Sequence, residues 1–119
     1  MDEVEEIKLT LPALADYARV ARLAVTGLAS RMGFSYDEIE DLRIAVGEVC
    51  SLMLDGTGGR LAFRCTLGHD TLEVDATRVP AGPPLSISEL SRQILDAVVD
   101  EAVIDQDRAH VRVVKRRQD

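Results

Sequence analysis

Asp41 and Glu48 lie seven positions apart in a stretch whose apolar residues recur at helical spacing. At about 100° per residue they share a stripe with Ala45 and Leu52, apart from a core stripe of Val46, Val49, Cys50 and Met53. A carboxylate on a helix beside a cavity can serve as general base for a hydroxyl nucleophile or orient a metal-bound water. The same spacing is met by a solvated helix residue, and at this level both readings of Glu48 stand. Other chemistry finds less support. Gly56, Gly58 and Gly59 read as a turn, because they lack the lysine and the strand-to-helix setting of a phosphate loop. There is no GxSxG elbow. Cys50 and Cys65 form no CxxC pair and are expected to be buried thiols. His69, in a turn, and His110, in an alternating run, are not at ligand spacing, so no metal site is expected.

The elements that must position these residues follow from periodicity. Glu6 to Thr10 alternates as a short strand, and Pro12 fits a helix start. Leu14, Tyr17, Ala21, Ala24, Val25 and Leu28 predict a long amphipathic helix over Ala13 to Met32, ended by Gly33. Ser35 followed by Glu38 is a capping box, so a second helix opens at Tyr36 with Ile39, Leu42, Val46, Val49, Cys50 and Met53 on one face. Arg60 to Thr66 and Thr71 to Thr77 predict a β-hairpin about Gly68, His69 and Asp70. Pro80, Gly82, Pro83 and Pro84 argue against regular structure from Val79 to Ser86. Ser88 caps a third helix, Glu89 to about Val99, and two last strands are expected at Val103 and Ile104 and at His110 to Val114. The expected fold is a two-layer α/β sandwich, a mixed, mostly antiparallel sheet covered by three helices.

The chain has 119 residues, 46% of them hydrophobic, with 14 Lys+Arg against 21 Asp+Glu and a net charge of -7. One domain spanning 1–119 is expected, with enough apolar residues to fill a core, which excludes disorder as the main state. The acidic balance repels phosphate backbones and anionic lipid, so neither nucleic acid nor membrane is an expected partner. Lys115, Arg116 and Arg117 form the only basic run and read as a solvated tail. No segment reaches the roughly 20 apolar residues of a membrane span, and Met1 to Glu6 is acidic, unlike the start of a signal sequence. A cytoplasmic location is the expectation.

Residues Arg22 to Ser51, RLAVTGLASRMGFSYDEIEDLRIAVGEVCS, resemble the helix hairpin of the RsbW-like anti-sigma-factor serine/threonine kinases of the GHKL ATPase superfamily. The resemblance is close over about the first half of the chain and is supported afterwards by element order. It implies a Bergerat-type ATP fold and a homodimer. It also implies two alternating partners, an RNA polymerase sigma factor and a STAS-domain anti-anti-sigma factor whose serine such kinases phosphorylate. It places Glu48 at the base of the family's ExxxN, whose asparagine binds magnesium, but here that position is Leu52, which offers no oxygen to a hard cation. The family's adenine-binding DxGxG box corresponds to Asp75, Ala76, Thr77, Arg78 and Val79. Asp75 keeps a possible adenine contact, while Thr77 and Val79 replace the glycines. The glycine-rich lid before the third helix is reduced to the proline segment.

Arg19 falls at a helix position whose arginine, in the resemblance, contacts both partner classes, and Arg22 lies one turn further along at a second common arginine position; both are candidate partner-binding residues. An exposed arginine balancing an acidic chain is the alternative for each. The expectation is thus a sequestering anti-sigma factor without kinase activity and with no required cofactor, residual ATP or ADP binding remaining open. The alternatives are an active ATP-dependent serine kinase using Glu48, and a non-enzymatic scaffold that touches no sigma factor.

Overall fold

The computed structural model describes residues 4–56 and 58–118. Met1 to Glu3, part of the acidic start read above as unlike a signal sequence, lie outside them. The order is β1 (Glu5–Pro12), a 3-10 turn (Ala15–Tyr17), α1 (Ala18–Arg31), α2 (Tyr36–Met53), β2 (Arg60–Leu67), β3 (Thr71–Val79), α3 (Glu89–Val98), β4 (Glu101–Asp105) and β5 (His110–Arg116). The strands form one sheet in the order β1-β2-β3-β5-β4. All four pairings are antiparallel. β3 and β4 run in the same direction, as the helical crossover through α3 requires, but β5 is inserted between them, so no parallel pair forms.

Alternation along the strands sends Leu61, Phe63, Cys65, Leu67, Leu72, Val74, Ala76, Val111 and Val113 into the core, where they meet Ala21, Val25, Leu42, Val46, Val49, Met53 and Leu95. The opposite sheet face carries Lys8, Arg64, Glu73, Asp75 and Arg112. Cys50 and Cys65 are buried free thiols, as their sequence context predicts. Burial pushes both up to about 11; Arg22 partly opposes this at Cys50, and Asp75 adds to it at Cys65.

Several boundaries differ from the periodicity. Pro12 does not open a helix; it ends β1, opposite Arg60. An edge strand tolerates it because proline's missing N–H need not join a ladder. The first α-helix consequently starts at Ala18, after the 3-10 turn. The capping box forms as predicted, with the Ser35 hydroxyl accepting from Glu38 N–H and the Glu38 carboxylate accepting from Ser35 N–H at 2.7 Å. Glu38 also accepts from the Gln118 N–H at 2.7 Å. Burial would raise the pKa of Glu38, but these backbone donors hold it below the usual carboxylate range.

The basic run is not a solvated tail. Lys115 and Arg116 belong to β5, and the Lys115 ammonium, only 12% exposed, donates to Asp41 at 2.9 Å and to the Val98 carbonyl at 2.8 Å. Arg117 donates to the Met32 carbonyl at 2.6 Å, where α1 ends. These cations tie the last strand to three helix ends or flanks, and helix C-terminal carbonyls favour positive charge.

Candidate functional site

The α2 stripe of Asp41, Ala45, Glu48 and Leu52 is not well separated from the core. Ala45 is fully buried and Leu52 packs against the core cluster. The reason is that α2 is flanked by both α1 and α3, which widens its buried arc beyond one stripe. Asp41, at the start of the stripe, is neutralised by Lys115. Glu48, two turns further on, is half-buried, and among the described residues its carboxylate has no side-chain hydrogen bond or ion pair.

Asp75 does not face the helices. It lies mid-strand, in phase with Glu73 and Thr77, on the outer face of the sheet, cross-strand from Arg64 and Arg112. Its side chain is 5% exposed, because Arg112 donates to Oδ1 at 3.2 Å and His110 Nε2 lies 2.9 Å from the same atom. Arg64 stands 3.8 Å from Oδ2, which has no hydrogen bond. Burial alone would raise the pKa of Asp75; the hydrogen bonds and charges of Arg112 and His110 outweigh that and lower it. Asp75, expected as a possible adenine contact, is turned away from the helix layer by the strand's period of two.

The helix side of that strand's end carries Arg78 instead. Its side chain is 1% exposed and donates to the Met53 carbonyl at the end of α2 (3.2 Å), to Asp55 (2.9 Å), and to the Ala81 (2.8 Å) and Pro83 carbonyls. The proline segment is fixed further by Leu85, which is buried and donates its N–H to the Gln106 carbonyl. An adenine amino group needs an acceptor, and a guanidinium only donates. Magnesium needs oxygens, and Leu52 has none. Among the described residues no three His, Cys, Asp or Glu side chains are grouped to hold a metal ion. The residues at these positions do not fit the magnesium nucleotide that the resemblance implies.

Arg19 and Arg22 do come together. They line a cavity of about 240 Å³ with Leu23, Thr26 and a residue the sequence reading missed, Arg43 of α2. No motif marks Arg43; only the packing of α1 on α2 brings it there. Arg78 had a signal, since it continues the apolar phase of Leu72, Val74 and Ala76.

A five-stranded antiparallel sheet covered by a helical hairpin and a third helix defines the class: an α/β sandwich with a cationic groove between its first two helices. No family model matches the chain. The serine-protein kinase RsbW of Halalkalibacterium halodurans is 40% identical over 76 residues, covering 61% of this chain and 47% of that protein. The serine-protein kinase RsbW of Bacillus cereus strain B4264 is 47% identical over 80 residues, covering 64% and 50%. The chain thus spans about half the length of the curated relatives it matches. The crystal structure of the RsbU and RsbW domains of Rv1364c from Mycobacterium tuberculosis superposes with a TM-score of 0.72 at 16% identity, covering 96% of this chain and 32% of that one. The chain is RsbW-like: in sequence over the matched stretch, and in fold over nearly all of its length.

Proposed function

We propose that this chain acts as an RsbW-like anti-sigma factor in a partner-switching system, sequestering an RNA polymerase sigma factor without ATP-dependent phosphoryl transfer. A STAS-domain anti-anti-sigma factor would release the sigma factor by competition for the same surface, in the cytoplasm. The observation that carries this reading is Arg78, whose buried guanidinium is committed to the Met53 carbonyl, next to Leu52 on α2, and to carbonyls of the proline segment. Arg19 and Arg22, without carboxylate partners among the described residues, supply the polar docking face; a planar guanidinium pairs with carboxylates in two bonds. A homodimer is part of the proposal, and the unpaired outer side of β1 is an edge that a second copy could join.

A second reading, an active serine kinase, is favoured by Glu48, a half-buried carboxylate with no side-chain partner among the described residues. Thermal unfolding with and without Mg·ATP separates the two. Nucleotide at about 100 times its dissociation constant stabilises by about 2.7 kcal/mol, which moves the midpoint by roughly 10 °C in a chain of this length. No shift, together with a sigma subunit co-purifying from the native cell, is the expected result. A magnesium-dependent shift with phosphate transfer to an antagonist serine, abolished by Glu48→Gln, would put the kinase first. Antagonist in the eluate without a sigma subunit would favour the scaffold.

A further inference from the structure

The residues that do not fit a magnesium nucleotide do fit another cation, and the chain supplies it. Nε of Arg78 donates to the Ala81 carbonyl at 2.8 Å, Nη1 donates to the Met53 carbonyl at 3.2 Å and to Asp55 at 2.9 Å, and Nη2 donates to the Ala81 and Pro83 carbonyls. One bond from Nε and two from each Nη match the hydrogens that each nitrogen carries, so no donor of the fork is left over. Met53 is the last residue of α2, where helix carbonyls favour positive charge. At Gly82 the backbone passes close over the fork: φ is +65°, and a Cβ there would stand 3.3 Å from Nη2 and 3.5 Å from Nε. The segment is clipped on its far side to the turn between β4 and β5. The Leu85 N–H donates to the Gln106 carbonyl at 2.9 Å, the Ala109 N–H donates to the same carbonyl at 3.3 Å, and the Arg78 N–H donates to the Ala109 carbonyl at 3.0 Å.

We propose that the Met53, Ala81 and Pro83 carbonyls, with Asp55, form a guanidinium-binding site that Arg78 fills from within, and that this internal ligand keeps Val79 to Leu85 strapped over the end of α2 whether or not a nucleotide is present. A buried cation needs its donors met and its charge balanced. The carbonyls meet the donors, and Asp55, its side chain 32% exposed, balances the charge. The strap leads directly to Ser88, which caps α3, so the end of α2, the start of α3 and the β4–β5 turn are held in one arrangement without an added ligand. The consequence for regulation rests on the reading that the chain docks a sigma factor: the partner surface is competent at all times and is cleared by competition alone.

The test follows backbone amide hydrogen exchange by NMR in the full chain, with Leu85 reporting on the strap. In the native chain its exchange rate should be the same with and without Mg·ATP. Arg78→Ala should raise that rate at least about tenfold, as loss of charge-assisted hydrogen bonds implies, while slowly exchanging amides of β2 and β3 show that the sheet remains folded. Because Arg78→Ala keeps only the Cβ, the space it leaves has the outline of ethylguanidinium. That cation, at millimolar concentration and far below the molar range in which guanidinium salts unfold proteins, should slow Leu85 exchange saturably, and ethylammonium should not. Arg78→Lys keeps a cation and an apolar stem and serves if Arg78→Ala does not fold; an ammonium cannot replace a planar fork, so Leu85 exchange should rise there too. Unchanged Leu85 exchange in the folded variants, no saturable effect of ethylguanidinium, an equal effect of ethylammonium, or slower Leu85 exchange in the native chain with Mg·ATP would each overturn the proposal. The anti-sigma reading fails separately, by the absence of a sigma subunit among co-purifying proteins, a result that leaves the strap standing.

Discussion

Removing the Arg78 guanidinium tests whether the proline segment and the end of α2 are held by one buried cation. Arg78→Ala strips the donor from the Met53, Ala81 and Pro83 carbonyls and from Asp55. Breaking a buried ion pair from one side costs about 3–5 kcal/mol. Asp55 is 32% exposed and regains water, so the lower end, about 3 kcal/mol, is expected here. With an unfolding entropy of about 2.1 cal/mol/K per residue, that amounts to a fall of about 12 °C in Tm for 119 residues. Urea unfolding followed by circular dichroism measures the free energy directly. Arg78→Met keeps most of the side-chain stem and loses only the donors, so about 2 kcal/mol should remain in that variant if hydrogen bonding rather than packing is responsible. A change within about 0.5 kcal/mol for Arg78→Met would refute the reasoning, since surface substitutions alone produce effects of that size.

Asp75 gives a pH dependence of defined sign. Its folded-state pKa is lowered, so its contribution is present at neutral pH and lost as the pH falls through that lowered value, and Asp75→Asn should flatten the acid side of a stability-versus-pH curve measured by urea unfolding. At Gly59, φ is +86° and a Cβ would lie 2.7 Å from the Val79 carbonyl oxygen, whereas Gly56, at φ +84°, has nothing within 4 Å. Gly59→Ala should therefore lower stability by about 2 kcal/mol or more, and Gly56→Ala by about 1 kcal/mol; equal denaturation midpoints for the two variants would contradict the steric argument. Cys50 and Cys65 should resist a disulfide reagent in the native protein and react fully in denaturant, because burial keeps both thiols protonated.

Much of the architecture was legible before any coordinates. The Ser35 and Glu38 pair located the start of α2, Ser88 located α3, and the two alternating runs about Gly68 located the central hairpin. These signals are local: a cap or a turn satisfies backbone groups within a few residues, so its residues stand together in the chain. The helix hairpin was legible for the same reason, and with it came the resemblance that the relatives bear out.

What the tertiary structure decided are the long-range partnerships. Whether Lys115 is a tail or a buried clamp depends on Asp41, 74 positions away. Asp75 became an outward-facing buried carboxylate because the register of β5 sets His110 and Arg112 beside it. Arg43 joined Arg19 and Arg22 only when α2 packed on α1. The sequence by itself determined the elements, the apolar faces and the missing oxygen at Leu52. It could not determine which charges meet, because like and unlike charges at any separation leave no periodic mark; only packing brings them within the few ångströms over which they act.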